Sequence, residues 1–247
     1  MFRNIVSLTL TLLATSAIAI DDQHDRDLRV NSRNNNGQQD LKITVTNLAY
    51  QQPMGPFFIA VHKEDFPPLY ELGRPAPPNG LNVLAEDRDP QPLIDYYSTP
   101  MLQSTSRYVD SFVNQDAGDF PAFLLEDGES TTVTVTVNPA FPYVSMASMA
   151  VNTNDCFVGF AGRRLEAGTS FMVPGLDSGT EENNEDCTSI PGPACAMTPG
   201  NVPSGNGEGT VLVHRGIHGM FQGSTTDLDP DVYDWRNPML LVTVEAA

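Results

Sequence analysis

Residues 131–137 read Thr-Thr-Val-Thr-Val-Thr-Val, so every valine falls on one face of an extended chain. A period of two filled with β-branched side chains predicts a strand with one buried face. Leu41, Ile43 and Val45 alternate in the same way with Lys42, Thr44 and Thr46, which predicts a second strand and the start of order at Leu41. Residues 57–62, Phe-Phe-Ile-Ala-Val-His, follow the turn Pro53-Met54-Gly55-Pro56 and predict a third. Residues 143–151 continue the pattern through Val144, Met146 and Ala150, after the linker Pro139-Ala140-Phe141-Pro142. Shorter runs at 157–160, 170–173, 209–214 and 239–244 complete a set of about eight or nine short strands. Only 81–85 and 92–97 read as helices, each short.

Twenty prolines and nineteen glycines separate these runs, and no internal repeat or boundary divides residues 41–247. This is the profile of an all-β fold, an antiparallel β-sandwich of about eight strands with long loops.

The N-terminal end has a different pattern. Arg3 precedes an apolar and hydroxyl-rich stretch over residues 5–20, and Ala17-Ile18-Ala19 supplies a small-residue cleavage site. These three parts predict a secretory signal peptide over residues 1–19, hence a secreted, extracellular protein. The stretch is too short and too rich in Ser and Thr to read as a membrane span, which needs about 20 mostly apolar residues. Residues 20–40 contain Asn34-Asn35-Asn36 and Gln38-Gln39 and read as a flexible polar lead-in.

The formal net charge of −18 changes the picture of partners. Removing Arg3 with the leader would make it one unit more negative. Such a surface repels nucleic acid and anionic lipid, whose binding depends on Lys and Arg, and attracts cations. Three cysteines leave one pair and one spare in an oxidising compartment. Cys187 and Cys195 flank the turn-rich Thr-Ser-Ile-Pro-Gly-Pro-Ala and are the expected pair; Cys156, beside a strand start, is the expected buried thiol.

Three constellations could carry chemistry. Asn152-Thr153-Asn154-Asp155 ends a strand run, and residues 177–186, Asp-Ser-Gly-Thr-Glu-Glu-Asn-Asn-Glu-Asp, concentrate carboxylates around a glycine. Calcium takes six to eight oxygen ligands from flexible backbone. Asp177 and Glu181, four positions apart, could curl around one ion while Asp155 closes the site; a solvated acidic loop would have the same composition. Residues 227–238 hold alternating acids and the only tryptophan, Trp235, which reads as a core plug with Arg236 paired to a nearby Asp. His62, His214 and His218 could together hold zinc or copper, but Gly216 and Gly219 predict a turn rather than a helix between the latter two. There is no G-x-S-x-G and no catalytic cysteine context.

Several segments, taken in order, resemble the spondin domain in its short, single-domain secreted form. They are Leu41-Lys-Ile-Thr-Val-Thr-Asn-Leu, Phe58-Ile-Ala-Val-His62, Leu84-Ala-Glu-Asp87, Thr153-Asn-Asp-Cys-Phe-Val-Gly159, Asp177-Ser-Gly-Thr-Glu181, Gly207-Glu-Gly209 and Tyr233-Asp-Trp-Arg-Asn-Pro238. The resemblance covers nearly all of residues 41–245. It implies an antiparallel β-sandwich similar to C2 domains and a divalent-cation site, with calcium as the expected ion. It carries the metal ligands onto Asp155, Asp177 and Glu181. Ser178 stands where the animal proteins have Ala, and Glu181 where they have Asp, which keeps the charge on a longer arm. The family is not known for enzymes, so none is expected here; the implied partner is an extracellular glycan or a cell-surface or matrix protein. The alternative is a secreted metalloenzyme or redox protein with a zinc or copper site built on the histidines.

Overall fold

A computed structural model of the chain describes residues 37–113, 124–196 and 202–247. The expected leader and all but the last four residues of the expected lead-in lie outside the described residues. Strand β1 spans Gln39–Asn47, β4 Ser130–Val137, β7 Thr169–Val173 and β12 Leu240–Ala246. They form a four-stranded sheet in the order β4-β1-β12-β7. The second sheet has six strands: β2 (Phe57–His62), β3 (Ser106–Phe112), β5 (Tyr143–Met149), β6 (Cys156–Arg164), β8 (Gly175–Asp177) and β9 (Leu212–Val213), in the order β3-β2-β5-β6-β8-β9. A small hairpin joins β10 (Met220–Phe221) to β11 (Ser224–Thr225). Every ladder is antiparallel.

The alternation seen in the sequence is what joins the two sheets. Leu41, Ile43 and Val45 of β1, Val135 and Val137 of β4, and Val242 and Val244 of β12 face Phe57, Ile59 and Val61 of β2, Val144 and Met146 of β5, and Val158 and Phe160 of β6 in one buried cluster. Each fully buried Val, Leu, Ile or Phe contributes about 1.5–3 kcal/mol relative to exposure. Trp235 joins this core and Arg236 pairs with Asp234, as expected.

β2 is buried at every position, and a second cluster explains why. Phe58 and Ala60 point the other way, onto Leu81, Leu84, Leu93 and Tyr97. Those four lie on short helices at Leu81–Asp87 and Gln91–Tyr97, which cover the outer face of the six-stranded sheet. A strand covered on both faces reads as a continuous apolar run rather than an alternation.

Several boundaries differ from expectation; the 157–160 run, for one, continues as strand to Arg164. Order begins before Leu41, because Gln39 is buried and pairs with Val137. The 209–214 run contributes only Leu212–Val213 as strand, and 143–151 stops being strand at Met149. β3, β8 and the β10–β11 hairpin were not expected. β3 is an edge strand with mixed burial, and β8 is three residues long, so neither offers a periodic signal.

Cys187 and Cys195 form a disulfide, and Cys156 is a buried free thiol. Burial raises the Cys156 pKa well above the usual range, which keeps it an inert thiol.

Candidate functional site

The site grows from the joint between β5 and β6. After β5 the chain makes a tight reversal in which Thr153 Oγ1 donates to the Ala150 carbonyl (2.6 Å) and accepts from the Cys156 N–H (3.1 Å). Asn152 receives the Ala194 N–H (3.0 Å), and Asn154 receives the Glu185 N–H (3.1 Å) while donating to Asn184 and Ser204. These amides are almost wholly buried. Short polar side chains of this kind satisfy backbone groups locally, so a stretch that reads as a surface loop is a buried tie-point.

Cys156 lies opposite Asp177 in the β6–β8 ladder, which brings Asp155 alongside the Asp177 loop. That loop folds back over Asp155. Gly179 takes φ +71°, where a Cβ would meet the Thr210 backbone at 2.5 Å, so glycine is required. The turn aims three donors at one oxygen: Ser178 Oγ (2.8 Å), Thr180 N (2.8 Å) and Glu181 N (3.1 Å) all reach Asp155 Oδ2. The other oxygen, Oδ1, is buried and has no hydrogen-bond partner among the described residues. An unpaired buried carboxylate oxygen is costly and uncommon in folded proteins.

The neighbouring acids deepen the imbalance. Asp177 accepts from the Gly179 N–H (2.7 Å) and from Asn183 Nδ2 (2.6 Å), yet burial, then Asp155 and then Glu208, push its pKa up to about 7. Glu181 is also pushed to about 7, first by burial and then by Glu86, and its carboxylate accepts from Ser204 N and Oγ at 3.3 and 3.2 Å. Burial raises the Asp155 pKa against the pull of its three donors. Glu86 reaches in from the Leu81–Asp87 helix and accepts from Thr180 Oγ1 (2.6 Å). Among the described residues, no Lys or Arg pairs with Asp155, Asp177 or Glu181. The pKa shifts therefore report desolvation and mutual repulsion with no compensating cation.

The acid-rich run of residues 177–186 thus divides by role. Asp177 and Glu181 turn toward Asp155. Glu185 turns away and accepts from the N–H groups of His218 and Gly219 and from Thr226 Oγ1, fixing the 218–226 loop. Glu86 and Glu208 belong to the acidic cluster without having been marked as candidate ligands. Glu208 sits between two glycines, and that spacing was the available hint.

As they stand, these acids point at hydrogen-bond donors. Among the described residues, no group of three or more His, Cys, Asp or Glu side chains is placed to hold a metal ion. The three histidines do not share a site. His214 stacks on Trp235 and is bonded through both ring nitrogens, to Asn183 and to the Gly216 N–H. Burial lowers its pKa to about 4, so it is neutral. His214 and His218 line a cavity of about 540 Å³ that also touches Asp177 and Glu208, whereas His62 lines a different cavity beside Tyr70 and Tyr143.

No protein-family model matches the chain, and no curated protein matches it in sequence. The likeness to the spondin domain rests on the motifs quoted above. Among the described residues, no helix is long and apolar enough to cross a membrane.

Proposed function

We propose that this is a secreted module for extracellular recognition or adhesion, resembling the spondin domain, whose acidic loops bind calcium. The observation that carries the reading is Asp155 Oδ1, a buried carboxylate oxygen that among the described residues has no partner, beside two further buried acids that have no counter-charge there. A divalent cation supplies the missing charge. The donors are all oxygens, which suits a hard cation, and they sit on a Gly-containing loop and a strand joint, which suits the adaptable shell of calcium better than the tight octahedron of magnesium. Asp155 would anchor the ion, while Asp177 and Glu181 would turn from their present hydrogen bonds to complete the set. Bound calcium would lock the 177–186 loop against the β5–β6 joint and so fix the rim of the cavity beside Asp177. A glycan or a cell-surface or matrix protein is the proposed partner.

Thermal unfolding of chelator-stripped protein tests this. Calcium at about 10 mM should raise the melting temperature by about 3–10 °C, as expected for a dissociation constant of about 10⁻⁴–10⁻³ M. Magnesium at the same concentration should do less. Equal shifts with both ions would mean general screening of the negative charge and would overturn the proposal.

A further inference from the structure

The second cavity holds a pair of side chains that the calcium reading does not use. The register shifts between Val61 and His62 in the β2–β3 ladder, and between Val144 and Met146 in the β5–β6 ladder. Bulges re-aim side chains and are enriched next to active sites. Here His62 and Ser145 meet, with Nε2 2.8 Å from Oγ. The other ring nitrogen, Nδ1, is 2.7 Å from the Lys63 carbonyl oxygen. A carbonyl only accepts, so Nδ1 carries the proton and Nε2 offers its lone pair to the Ser145 hydroxyl. The Gly162 N–H donates to Ser145 Oγ at 2.8 Å, which leaves the hydroxyl proton to His62. The imidazole is held by stacking on Phe66, with ring centroids 4.1 Å apart. This is a serine, a base and an orienting acceptor in hydrogen-bonded series.

The series opens on a cavity of about 480 Å³, walled by Glu64, Phe66, Pro68, Tyr70, Tyr143 and Ala161. We propose that Ser145 is a nucleophile activated by His62, and that the cavity takes neutral esters with a small acyl group and an apolar or aromatic alcohol. The walls are mostly apolar, and Glu64 with the net charge of −18 disfavours anionic substrates. Ser145 Oγ forms a bond to the acyl carbon as its proton passes to His62 Nε2. The imidazolium is stabilised through Nδ1–H on the Lys63 carbonyl. The ester C–O bond then breaks, and the departing alcohol takes the proton from Nε2. Water enters by the same route, giving its proton to Nε2 and its oxygen to the acyl carbon; Ser145 leaves, recovers the proton, and the carboxylic acid is released. The Gly162 N–H, which donates to Ser145 Oγ at rest, would turn from that oxygen to the oxyanion as the bond to the acyl carbon forms. A single donor makes turnover slow, because each one is worth about 10²–10³ in rate.

Covalent capture is therefore the readout. The full chain, kept in chelator so that calcium plays no part, is treated with an uncharged fluorophosphonate ester between pH 5 and 8, and the adduct is located by peptide mass mapping. The expected result is one equivalent on Ser145, and no adduct there in protein unfolded by urea. The rate should rise with pH and level off above a midpoint below 6.5, because burial lowers the His62 pKa. The charged and titratable groups around His62 are Lys63 and Glu64 beside it, Tyr70 and Tyr143 across the cavity, and Arg164 on β6, whose guanidinium lies over the Tyr143 ring; Arg163 turns away, onto Phe171. His62→Gln should cut the rate by about 100-fold or more. Absence of an adduct on Ser145 in the folded protein would overturn the proposal. So would equal labelling in urea, or an unchanged rate in a folded His62→Gln variant.

Discussion

Two regions of this molecule are buried to the same degree by opposite chemistry. Between the sheets, β1, β4 and β12 present alternating apolar side chains, and Ile43, Val242 and Val244 are fully enclosed by others of their kind. At the β5–β6 joint, Asn152, Thr153, Asn154 and Asp155 are as deeply enclosed, yet all four are polar. The first region gains from removal of apolar surface from water, which is non-directional and tolerant. The second depends on each donor and acceptor finding its partner, and among the described residues Asp155 Oδ1 does not. A core built on area gives stability; a core built on satisfied polar groups gives a specified geometry, and among the described residues Asp155 Oδ1 and Gln52 Nε2 are the buried side-chain atoms left without a partner.

The largest expected effect separates the two. Ile43→Ala should destabilise by about 2–5 kcal/mol in urea unfolding, as core truncations do, and leave calcium binding by the folded protein unchanged. A loss of calcium affinity in folded Ile43→Ala would show that the regions are one mechanical unit.

Replacing Cys187 and Cys195 by Ser comes next. The disulfide closes a short ring, with the cysteines 8 positions apart, at the end of the acidic run. The chain-entropy account gives about 2.6 kcal/mol for such a ring. Differential calorimetry should show that loss without a change in the fold of the sheets by circular dichroism.

The third effect is a pH dependence without metal. Asp177 and Glu181 have folded pKa values raised to about 7, against about 3.9 and 4.3 when unfolded. The folded state therefore binds more protons than the unfolded state between those values. Their contribution is fully favourable below about pH 4 and is lost as pH rises toward 7. In chelator the melting temperature should be higher at pH 5 than at pH 8 once Asp177→Asn and Glu181→Gln controls are subtracted. Calcium affinity should move the opposite way and tighten from pH 5 to 8, since protons compete for the same oxygens.

The smallest effect lies on the outer face of β1. Lys42 and Glu245 form an exposed ion pair at 3.8 Å. Lys42→Ala should change stability by no more than about 1 kcal/mol, less in salt.

The same contrast explains what the sequence made legible. Residues 131–137 and 57–62 announced their strands because burial acts there through periodicity or through a continuous apolar run. The helices at Leu81–Asp87 and Gln91–Tyr97 were also visible, being apolar between Pro- and Gly-rich breaks. β3 was not, because Ser-Arg-Tyr-Val-Asp-Ser-Phe on a sheet edge has no clean alternation. Within the site, local spacing linked Asp177 to Glu181 with Asp155 closing the set, and the resemblance pointed to the same three residues. Glu86 was not linked, since its contact with Thr180 spans 94 positions. The His62–Ser145 pair spans 83 and depends on two bulges, which no short motif encodes.

The central claim is that Asp155 Oδ1 is unpaired because a calcium ion belongs beside it. Titration calorimetry of chelator-stripped protein at pH 8, comparing the unaltered chain with Asp155→Asn, Asp177→Asn and the distant, exposed Glu129→Gln, tests it most directly. The account predicts one calcium per chain for the unaltered protein and for Glu129→Gln, and a loss of binding of at least about tenfold for the two Asp variants, since each loses a charged ligand. Asp155→Asn should also melt no lower than the unaltered chain in chelator, because it removes an uncompensated buried charge. No calcium-specific heat in the unaltered chain, or the same loss in all three variants, would contradict the account.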